Sequence, residues 1–443
     1  MRLKQLVIAV AAIGVLGWTA SEAFAQNEQF VPRLVYRTGP YAPNGVPFAN
    51  GWADYADMLN ARDGGVGGVK ITYEECETAY NNDKGVECYE RLKGKGPTGA
   101  TEVDPLSTGI TYALIERAPA DKIPVVSMGY GRADASYGAV FPYVFTFPVT
   151  YWAQTDAVIQ YIGAKLGGMD KLKGKKIAYI YHDSAYGKES IPTLEKLAPK
   201  FGYELTKFPV SPPGIEQKAT WLQIRQLKPD WIFMAGWGVM NSTAIKEAAN
   251  IGYPMDHFIG NWWSGAEPDV EPAGAAAKGY LAANFTGVGT AFPLIQDILK
   301  YVYAKGGGHA AKEKVGEVLY DRGVGNAIYD LEALRIAQTK YGKKPLTGEQ
   351  MRWGLENLNL TEARIKEMGA TGLLTPVKLS CADHEGAGNV RIQQWDGQHW
   401  KTISDWITPE RGMLREMYKE SAMAYAQEKG IKPRDCSKEV ASK

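Results

Sequence analysis

Residues 177–200, IAYIYHDSAYGKESIPTLEKLAPK, carry the pattern that decides the fold. The apolar run 177–181 predicts a buried strand, and the turn residues 183–187 (DSAYG) follow directly. The apolar spacing of residues 188–200 then predicts a helix. A buried strand that leads through a short turn into a helix is the building unit of a parallel sheet covered by helices, so this stretch predicts an α/β fold.

The same alternation extends to both sides of this stretch. Strands are predicted at 34–36, 69–73, 123–127, 205–210, 231–235, 257–260 and 280–286. Helices are predicted at 48–60, 79–92, 110–117, 152–166, 220–227, 242–251, 293–304, 324–341 and 347–357. Residues 39–45 form a turn-rich loop, and 390–403 form a hairpin around an Asp-Gly turn. The pattern restarts after residue 150, which indicates two α/β units joined near 147–152.

Length and charge narrow the class of function. The chain has 443 residues, more than a single hydrophobic core usually holds, so two domains are expected. The formal net charge is +1 and no basic stripe is present, which argues against a nucleic-acid partner. Aromatic residues are abundant, with 25 Tyr, 12 Trp and 12 Phe, and several stand at predicted loop positions.

The first 25 residues have the layout of a secretory signal peptide. Arg2 and Lys4 precede an apolar stretch at 6–16, and the small residues Ala23 and Ala25 flank Phe24 before a predicted cut. The apolar stretch is shorter than the ~20 residues that a spanning helix needs, although an uncleaved anchor remains the alternative. We therefore expect a periplasmic protein whose mature chain, from residue 26, has no membrane insertion.

The four cysteines favour disulfides, because an even count in an exported protein is typical of a disulfide framework. Cys76 and Cys88 could close a short loop, and Cys381 and Cys436 would then tie the C-terminal tail to the body. That pairing is one of three possible. Cys381 lies near Asp383 and His384, but no second ligand pair appears at metal spacing, so neither a metal nor a cofactor is expected.

The motifs of common enzyme classes do not occur in the sequence. GxSxG, HExxH and GxxxxGK[ST] are absent, and the glycine runs at 64–68 and 94–99 lack GxGxxG spacing. The five histidines are scattered, and surface or turn roles are predicted for them. His182, Asp183 and Ser184 are consecutive, and consecutive side chains rarely reach one reacting atom. The chain is therefore predicted not to be an enzyme.

These features form one ordered set. Export, a Gly-Pro loop after the first strand, a helix that ends at Gly64-Gly65, a second strand with Cys76, and the unit at 183–187 follow one another. In this the chain resembles, over about residues 33–400, the periplasmic solute-binding proteins of branched-chain amino-acid (Leu/Ile/Val-type) ABC transporters. The resemblance implies a type I periplasmic-binding fold, the Venus flytrap, in which two lobes of mainly parallel sheet flanked by helices are joined by three crossovers.

The resemblance also implies how the chain is divided and used. We predict an N-terminal lobe from 26–148 and 281–376, a C-terminal lobe from 149–280 and 377–431, and a surface tail at 432–443. A monomer would bind a small-molecule ligand between the lobes and pass it to an inner-membrane ABC permease by cleft closure. The alternative is a ligand-sensing receptor module of the same fold. A secreted hydrolase is disfavoured because no nucleophile–base pair stands out.

Residues of the first lobe are carried over from the family's ligand site. Tyr41 and Asn44 match the lid over the ligand, and Ser107, Thr108 and Gly109 match the segment that holds a ligand carboxylate by a hydroxyl and a backbone N–H. That chemistry suits a helix N-terminus, where N–H donors are free. The alternative is that Ser107 or Thr108 only caps its own helix. Gly129 and Tyr130 match the loop whose carbonyl receives a ligand ammonium.

The second lobe supplies aromatic residues. Tyr186, Trp237 and Trp262 align with ligand-facing positions, and interlobe packing is the alternative for Tyr186 and Trp237. The chain departs from the family at Gly131, where a hydroxyl usually stands, and at Trp262-Trp263, near which the family's amino-acid binders carry a Glu; Glu267 is out of register. Aromatic faces without an obvious carboxylate suit a flat or apolar anion, so aromatic and other hydrophobic carboxylates compete with leucine-like amino acids.

Overall fold

The computed structural model describes residues 27–437 and shows two lobes, each a mainly parallel sheet flanked by helices. The strands are β1 (Glu28–Val35), β2 (Lys70–Glu77), β3 (Val125–Val126), β4 (Val144–Phe145), β5 (Lys176–His182), β6 (Glu204–Val210), β7 (Trp231–Ala235), β8 (Phe258–Gly260), β9 (Leu281–Asn284), β10 (Asn359–Leu360), β11 (Val377–Lys378), β12 (Arg391–Trp395) and β13 (Trp400–Thr402). The predicted fold class is confirmed, and the predicted signal peptide lies outside the described residues.

Helices cover the sheets of both lobes. They are α1 (Ala42–Asp63), α2 (Asn82–Leu92), α3 (Thr108–Leu114), α4 (Arg117–Asp121), α5 (Tyr151–Lys165), α6 (Ala185–Lys188), α7 (Ile191–Phe201), α8 (Lys218–Leu227), α9 (Val239–Asn250), α10 (Glu267–Val270), α11 (Pro293–Tyr301), α12 (Val318–Tyr341), α13 (Gly348–Glu356), α14 (Glu362–Glu367) and α15 (Arg411–Lys429). Short 3₁₀ turns, among them Ala133–Ser136, connect several of them.

The second lobe is built on a seven-stranded sheet with the order β13-β12-β9-β8-β7-β5-β6. β5 pairs in parallel with both neighbours, and Ile177 lies opposite Leu205 on one side and Trp231 on the other. All five residues of β7 are buried, as expected for a parallel strand with helices on both faces. The antiparallel hairpin β12–β13 closes the far edge.

The first lobe has a sheet of short parallel segments. β1 pairs with β2, and β3 pairs with β4. Residues 103 and 104 join the two pairs, because Asp104 bridges Arg33 and Val103 bridges Val125. The resulting order is β2, β1, residues 103–104, β3 and β4. The loops that follow β1, residue 104 and β3 leave the sheet at its carboxyl edge, which is the edge where α/β sheets bind ligands.

Several helix boundaries differ from the prediction, and two of them lie beside the loops between the lobes. α1 begins at Ala42, so the predicted loop at 39–45 is shorter; Pro43 lies in its first turn, where a fixed φ and a missing N–H cost nothing. The predicted helix 188–200 begins later, as α7 at Ile191, and the short helix α6 lies in the predicted turn before it.

α15 was not predicted, although its buried face was legible in the sequence. The buried positions follow a regular spacing of four residues and are Leu414, Tyr418, Ala422 and Ala426. The helix packs against Ala133–Ser136 of the first lobe and against α5 of the second. It therefore touches both lobes.

The observed crossover lies later than the predicted division at 280/281. Leu281 of β9 pairs with Ile259 of β8, so residues 281–284 belong to the seven-stranded sheet. The chain returns to the first lobe after residue 284. The predicted boundary at 376/377 also separates two paired strands, because β11 pairs with β10. The rest of the division into 26–148 with 281–376 and 149–280 with 377–431 remains a prediction.

Both disulfides are present and hold peripheral segments. Cys76 on β2 is bonded to Cys88 on α2, and Cys381 is bonded to Cys436. The described part of the predicted surface tail is held on the first lobe, because the Arg434 N–H donates to the Ala139 carbonyl at 2.8 Å. Residues 432–437 are exposed or half-buried, and the Cys381–Cys436 disulfide ties them to the body.

Candidate functional site

The loops at the carboxyl ends of both sheets meet in the cleft between the lobes. In the first lobe, Tyr41 follows β1, Thr108 follows residue 104, and Tyr130 follows β3. In the second lobe, Tyr186 follows β5 and Trp237 follows β7. These loops converge because parallel strands present the same ends to one edge of their sheet.

The segment 107–109 is folded as a helix start. The Ser107 hydroxyl accepts the Ile110 N–H at 3.3 Å, which is an N-cap, and the Thr108 hydroxyl accepts the Gly131 N–H at 2.9 Å. Gly109 lets α2 approach, since a Cβ there would lie 2.3 Å from Asn82 Oδ1. The capping role of Ser107 is thus observed, whereas ligand contact by all three residues remains a prediction.

The carbonyl of Gly129 faces the second lobe. It accepts two indole N–H groups, from Trp262 at 2.9 Å and from Trp263 at 2.5 Å. The Tyr130 ring lies 4.5 Å from the Trp263 ring, and its hydroxyl is 3.0 Å from the Tyr36 hydroxyl. In this closed cleft the carbonyl that the resemblance assigns to a ligand ammonium is occupied by tryptophans of the other lobe.

Trp237 lies at the centre of an aromatic cluster. Its ring stacks on Tyr41 at 5.9 Å and also meets Tyr36, Tyr80 and Tyr186. The indole is buried, and its Nε1–H has no hydrogen-bond partner among residues 27–437. A buried donor without a partner is costly, so this N–H is a candidate to receive a ligand acceptor.

Tyr186 is fixed within its own lobe. Its hydroxyl donates to the Gly236 carbonyl at 2.8 Å and lies 3.0 Å from Asn261 Oδ1. The ring remains available as a wall of the cleft beside Trp237. Its predicted contact with ligand therefore concerns the ring face and not the hydroxyl.

Tyr41 and Asn44 join the lobes directly. The Tyr41 hydroxyl is hydrogen-bonded to His182 Nε2 at 3.0 Å, and Asn44 Nδ2 donates to Asp269 Oδ1 at 3.2 Å. Burial lowers the pKa of His182 to about 4 and raises the pKa of Asp269 to about 6. The predicted lid positions are thus polar contacts between the lobes.

Trp262 is held from three sides. Its ring stacks on Tyr151 at 4.8 Å. Its backbone N–H donates to the Gln154 side-chain oxygen at 2.9 Å, and its backbone carbonyl accepts from the Arg322 guanidinium at 2.6 Å. Arg322 is fully buried on α12 and stands 4.9 Å from the Trp263 ring. The sequence analysis missed Arg322, since it lies mid-helix, 60 residues from the loop that it supports.

The expectation of a cleft without an obvious carboxylate is wrong. Glu189 is 6% exposed and accepts the Ala133 N–H at 3.1 Å and the Tyr112 hydroxyl. Burial raises its pKa to about 7. Glu189 follows Tyr186 by three residues, the spacing of one helical face, and that was the available signal. Glu267, in contrast, accepts the Val318 N–H at the start of α12 and holds that helix.

Two histidine predictions are also corrected. His182, for which a surface or turn role was predicted, is buried between the lobes and touches Tyr41 and Ser184. His384 is fully buried and stacks on Phe145 at 4.0 Å, because its Nδ1 reaches the Val144 carbonyl at 2.7 Å. Long-range packing placed both rings inside, and local spacing did not show it.

Comparisons with known proteins agree with this architecture. A family model described as Periplasmic binding protein matches residues 28–399. A crystal structure from the Pseudomonas fluorescens group, described as an ABC transporter permease, is 47% identical, covers 93% of this chain and 99% of its own, and has a TM-score of 0.87. No curated protein sequence matches significantly.

More distant solved structures share the fold. A branched-chain amino acid ABC transporter from Thermus thermophilus with bound valine is 20% identical, with 89% of this chain and 99% of that chain covered and a TM-score of 0.72. A solute-binding protein from R. palustris in complex with benzoate is 20% identical, with 86% and 97% covered and a TM-score of 0.67. Among residues 27–437, no helix combines the length and apolar character that crossing a bilayer requires.

Proposed function

The chain belongs to the periplasmic binding protein family, whose members bind solutes and are not enzymes, and from that premise we propose that it captures a small carboxylate in its cleft and delivers it to an ABC permease. The ligand class is a branched-chain or other hydrophobic amino acid, or an aromatic acid. The observation that carries the proposal is the convergence of 107–109, 129–130, Tyr186 and Trp237 on one buried cleft.

The aromatic walls favour a hydrophobic ligand body. Trp237, Trp262 and Tyr130 offer ring faces, which stack against flat or apolar groups. The buried, unpartnered Nε1–H of Trp237 and the α3 N-terminus offer donors to an anion. The related structures with bound valine and benzoate illustrate the two ligand classes that this cleft could serve.

Delivery follows from closure. A ligand that touches both lobes stabilises the closed form, because the open form lacks half of the contacts. The inner-membrane permease can then recognise the closed form on the outer side of that membrane. The two disulfides suit such an oxidising compartment. We propose that the protein acts there as a monomer.

Thermal unfolding with matched solutes tests the ligand class. L-leucine, L-valine, benzoate and octanoate are each compared with the corresponding primary amide, in which the carboxylate is replaced. A true ligand at a hundred times its Kd raises Tm by about 3 °C, and its amide does not, because the carboxylate is lost. Equal shifts with acid and amide would contradict carboxylate recognition, and a shift with leucine and valine alone would exclude the aromatic acids.

A further inference from the structure

Glu189 stands where the two lobes press together. It belongs to the second lobe, at the turn between α6 and α7, and its carboxyl accepts from two groups of the first lobe. These are the Tyr112 hydroxyl on α3 and the Ala133 N–H at 3.1 Å. Both donors are protein groups, so this contact joins the lobes directly.

Gly131 makes room for this carboxyl. A Cβ at Gly131 would lie 2.5 Å from Glu189 Oε1 and 2.7 Å from Thr108 Cγ2. Both distances are below any real Cβ contact, so a side chain at 131 would push the carboxyl away. The departure from the family pattern at Gly131 therefore has a physical reason: a carboxylate of the opposite lobe fills the space.

Charged and titratable side chains of both lobes surround the Glu189 carboxyl. The first lobe contributes Tyr112, Arg132 and Asp134, and the second contributes Tyr151 and Tyr179. Arg132 is engaged by Asp134 through two hydrogen bonds of 2.6 and 2.8 Å. Arg132 is thus held by its own loop, and the direct bonds to Glu189 come from a hydroxyl and an amide.

We propose that Glu189 is a latch that holds the ligand loop 129–133 against the second lobe when the cleft closes. The proposal rests on the proposed function only in that the lobes open and close. Glu189 is a positioning residue, because it acts on Gly129 and Tyr130 through the backbone of their loop. Its contribution to closure is independent of which solute is bound.

The latch makes closure depend on pH. An open cleft returns the carboxyl to water and to its ordinary pKa of about 4.5, whereas seating raises the pKa to about 7 by burial. The closed form therefore holds a proton more tightly, and closure is favoured at low pH and loses that advantage as pH rises through 7. Between pH 6 and pH 8 the closing equilibrium should weaken about tenfold through this group alone.

The protection of the amides of residues 129–136 against hydrogen exchange measures closure at the latch and needs no ligand. In the full protein with no added solute, after correction for intrinsic rates, protection should fall about tenfold more between pH 6 and pH 8 in wild type than in Glu189→Gln. Comparing the two chains cancels other titrating groups such as His182. Glu195→Gln is the matched control, because Glu195 is exposed on α7 and pairs with Lys207, and it should behave as wild type.

A second variant tests the geometry without changing the charge. Tyr112→Phe removes one donor to the carboxyl, so protection of 129–136 should fall at both pH values. Identical pH responses in wild type and Glu189→Gln, or unchanged protection in Tyr112→Phe, would overturn the latch. Such a result would leave any Tm shift caused by a solute unexplained by the latch and would not contradict solute capture. If no solute shifts Tm but the pH dependence of exchange differs between wild type and Glu189→Gln as expected, solute capture is overturned and the latch is not.

Discussion

The two lobes are joined along two regions that differ in kind. In the cleft, contacts such as Tyr41–His182, Asn44–Asp269 and the tryptophan N–H groups on Gly129 are single hydrogen bonds between neutral or buried groups. Beside the crossovers, α15 contacts both lobes, and we call this helix the strap. Ion pairs hold it, and the Cys381–Cys436 disulfide follows it in the chain. The cleft contacts are therefore non-covalent throughout, whereas the strap is backed by a covalent bond.

The strap is anchored at both ends. Arg411 pairs with Asp383 at 2.9 Å and with the fully buried Glu385, and the Tyr418 hydroxyl is 2.7 Å from the Thr150 hydroxyl near the first crossover. Further along α15, Ser421 donates to Asp134 of the first lobe at 2.7 Å. The strap thus ties the crossover region to the first lobe.

The largest expected effect comes from removing the disulfide of the strap. Cys381→Ser with Cys436→Ser releases a loop of 55 residues and should lower the free energy of unfolding by about 4 kcal/mol. Cys76→Ser with Cys88→Ser releases only 12 residues and should cost about 3 kcal/mol. Denaturant unfolding measures both, and a larger loss from the shorter loop would contradict the role of the strap.

The next effect comes from a buried charge in the strap. Arg411→Met leaves Glu385 buried without its cation and should cost about 3 kcal/mol of unfolding free energy. Arg415→Met is the matched control, because Arg415 is half-exposed and pairs with Asp383 at the surface, so its loss should stay below about 1 kcal/mol. Equal losses in the two variants would show that burial does not set the strength of the strap.

The cleft is distinguished from the strap by its effect on ligand affinity. Trp237→Phe removes the unpartnered Nε1–H and keeps an aromatic ring, so affinity for the solute selected in the Tm series should fall about tenfold. Trp152→Phe is the matched control. The Trp152 ring stacks on Tyr418 of the strap, and its indole N–H also has no hydrogen-bond partner among residues 27–437. Calorimetric titration should find the solute affinity of Trp152→Phe unchanged. A loss of affinity in both variants would contradict the distinction between cleft and strap.

The smallest effect is a pH dependence of the cleft. Burial lowers the pKa of His182 to about 4 from an ordinary value near 6.5, so the unfolded chain takes up the proton first. Stability from this group is complete above pH 6.5 and is lost as pH falls towards 4. His182→Asn should therefore reduce the fall in Tm between pH 7 and pH 5. An unchanged fall would place the titrating groups elsewhere.

The sequence was sufficient to predict the fold class and the positions of the strand-end loops. In β5, for example, an apolar strand pattern is followed directly by the turn residues DSAYG. It also placed Tyr41, Thr108, Tyr186 and Trp237 at loops that meet. Glu189 and Arg322 were missed because their partners lie 56 and 60 residues away on the other lobe. The three-residue spacing from Tyr186 was the one local signal for Glu189. α15 escaped although its apolar spacing was present.

A crystal structure grown with the carboxylate that raises Tm most tests the central claim, that the solute is held between the lobes. We predict its carboxylate at 107–109 and its apolar body against Trp237 and Tyr186. A solute bound instead in the outer groove of the first lobe that is lined by Tyr55, Arg335 and neighbouring residues, with the cleft unchanged, would contradict the account.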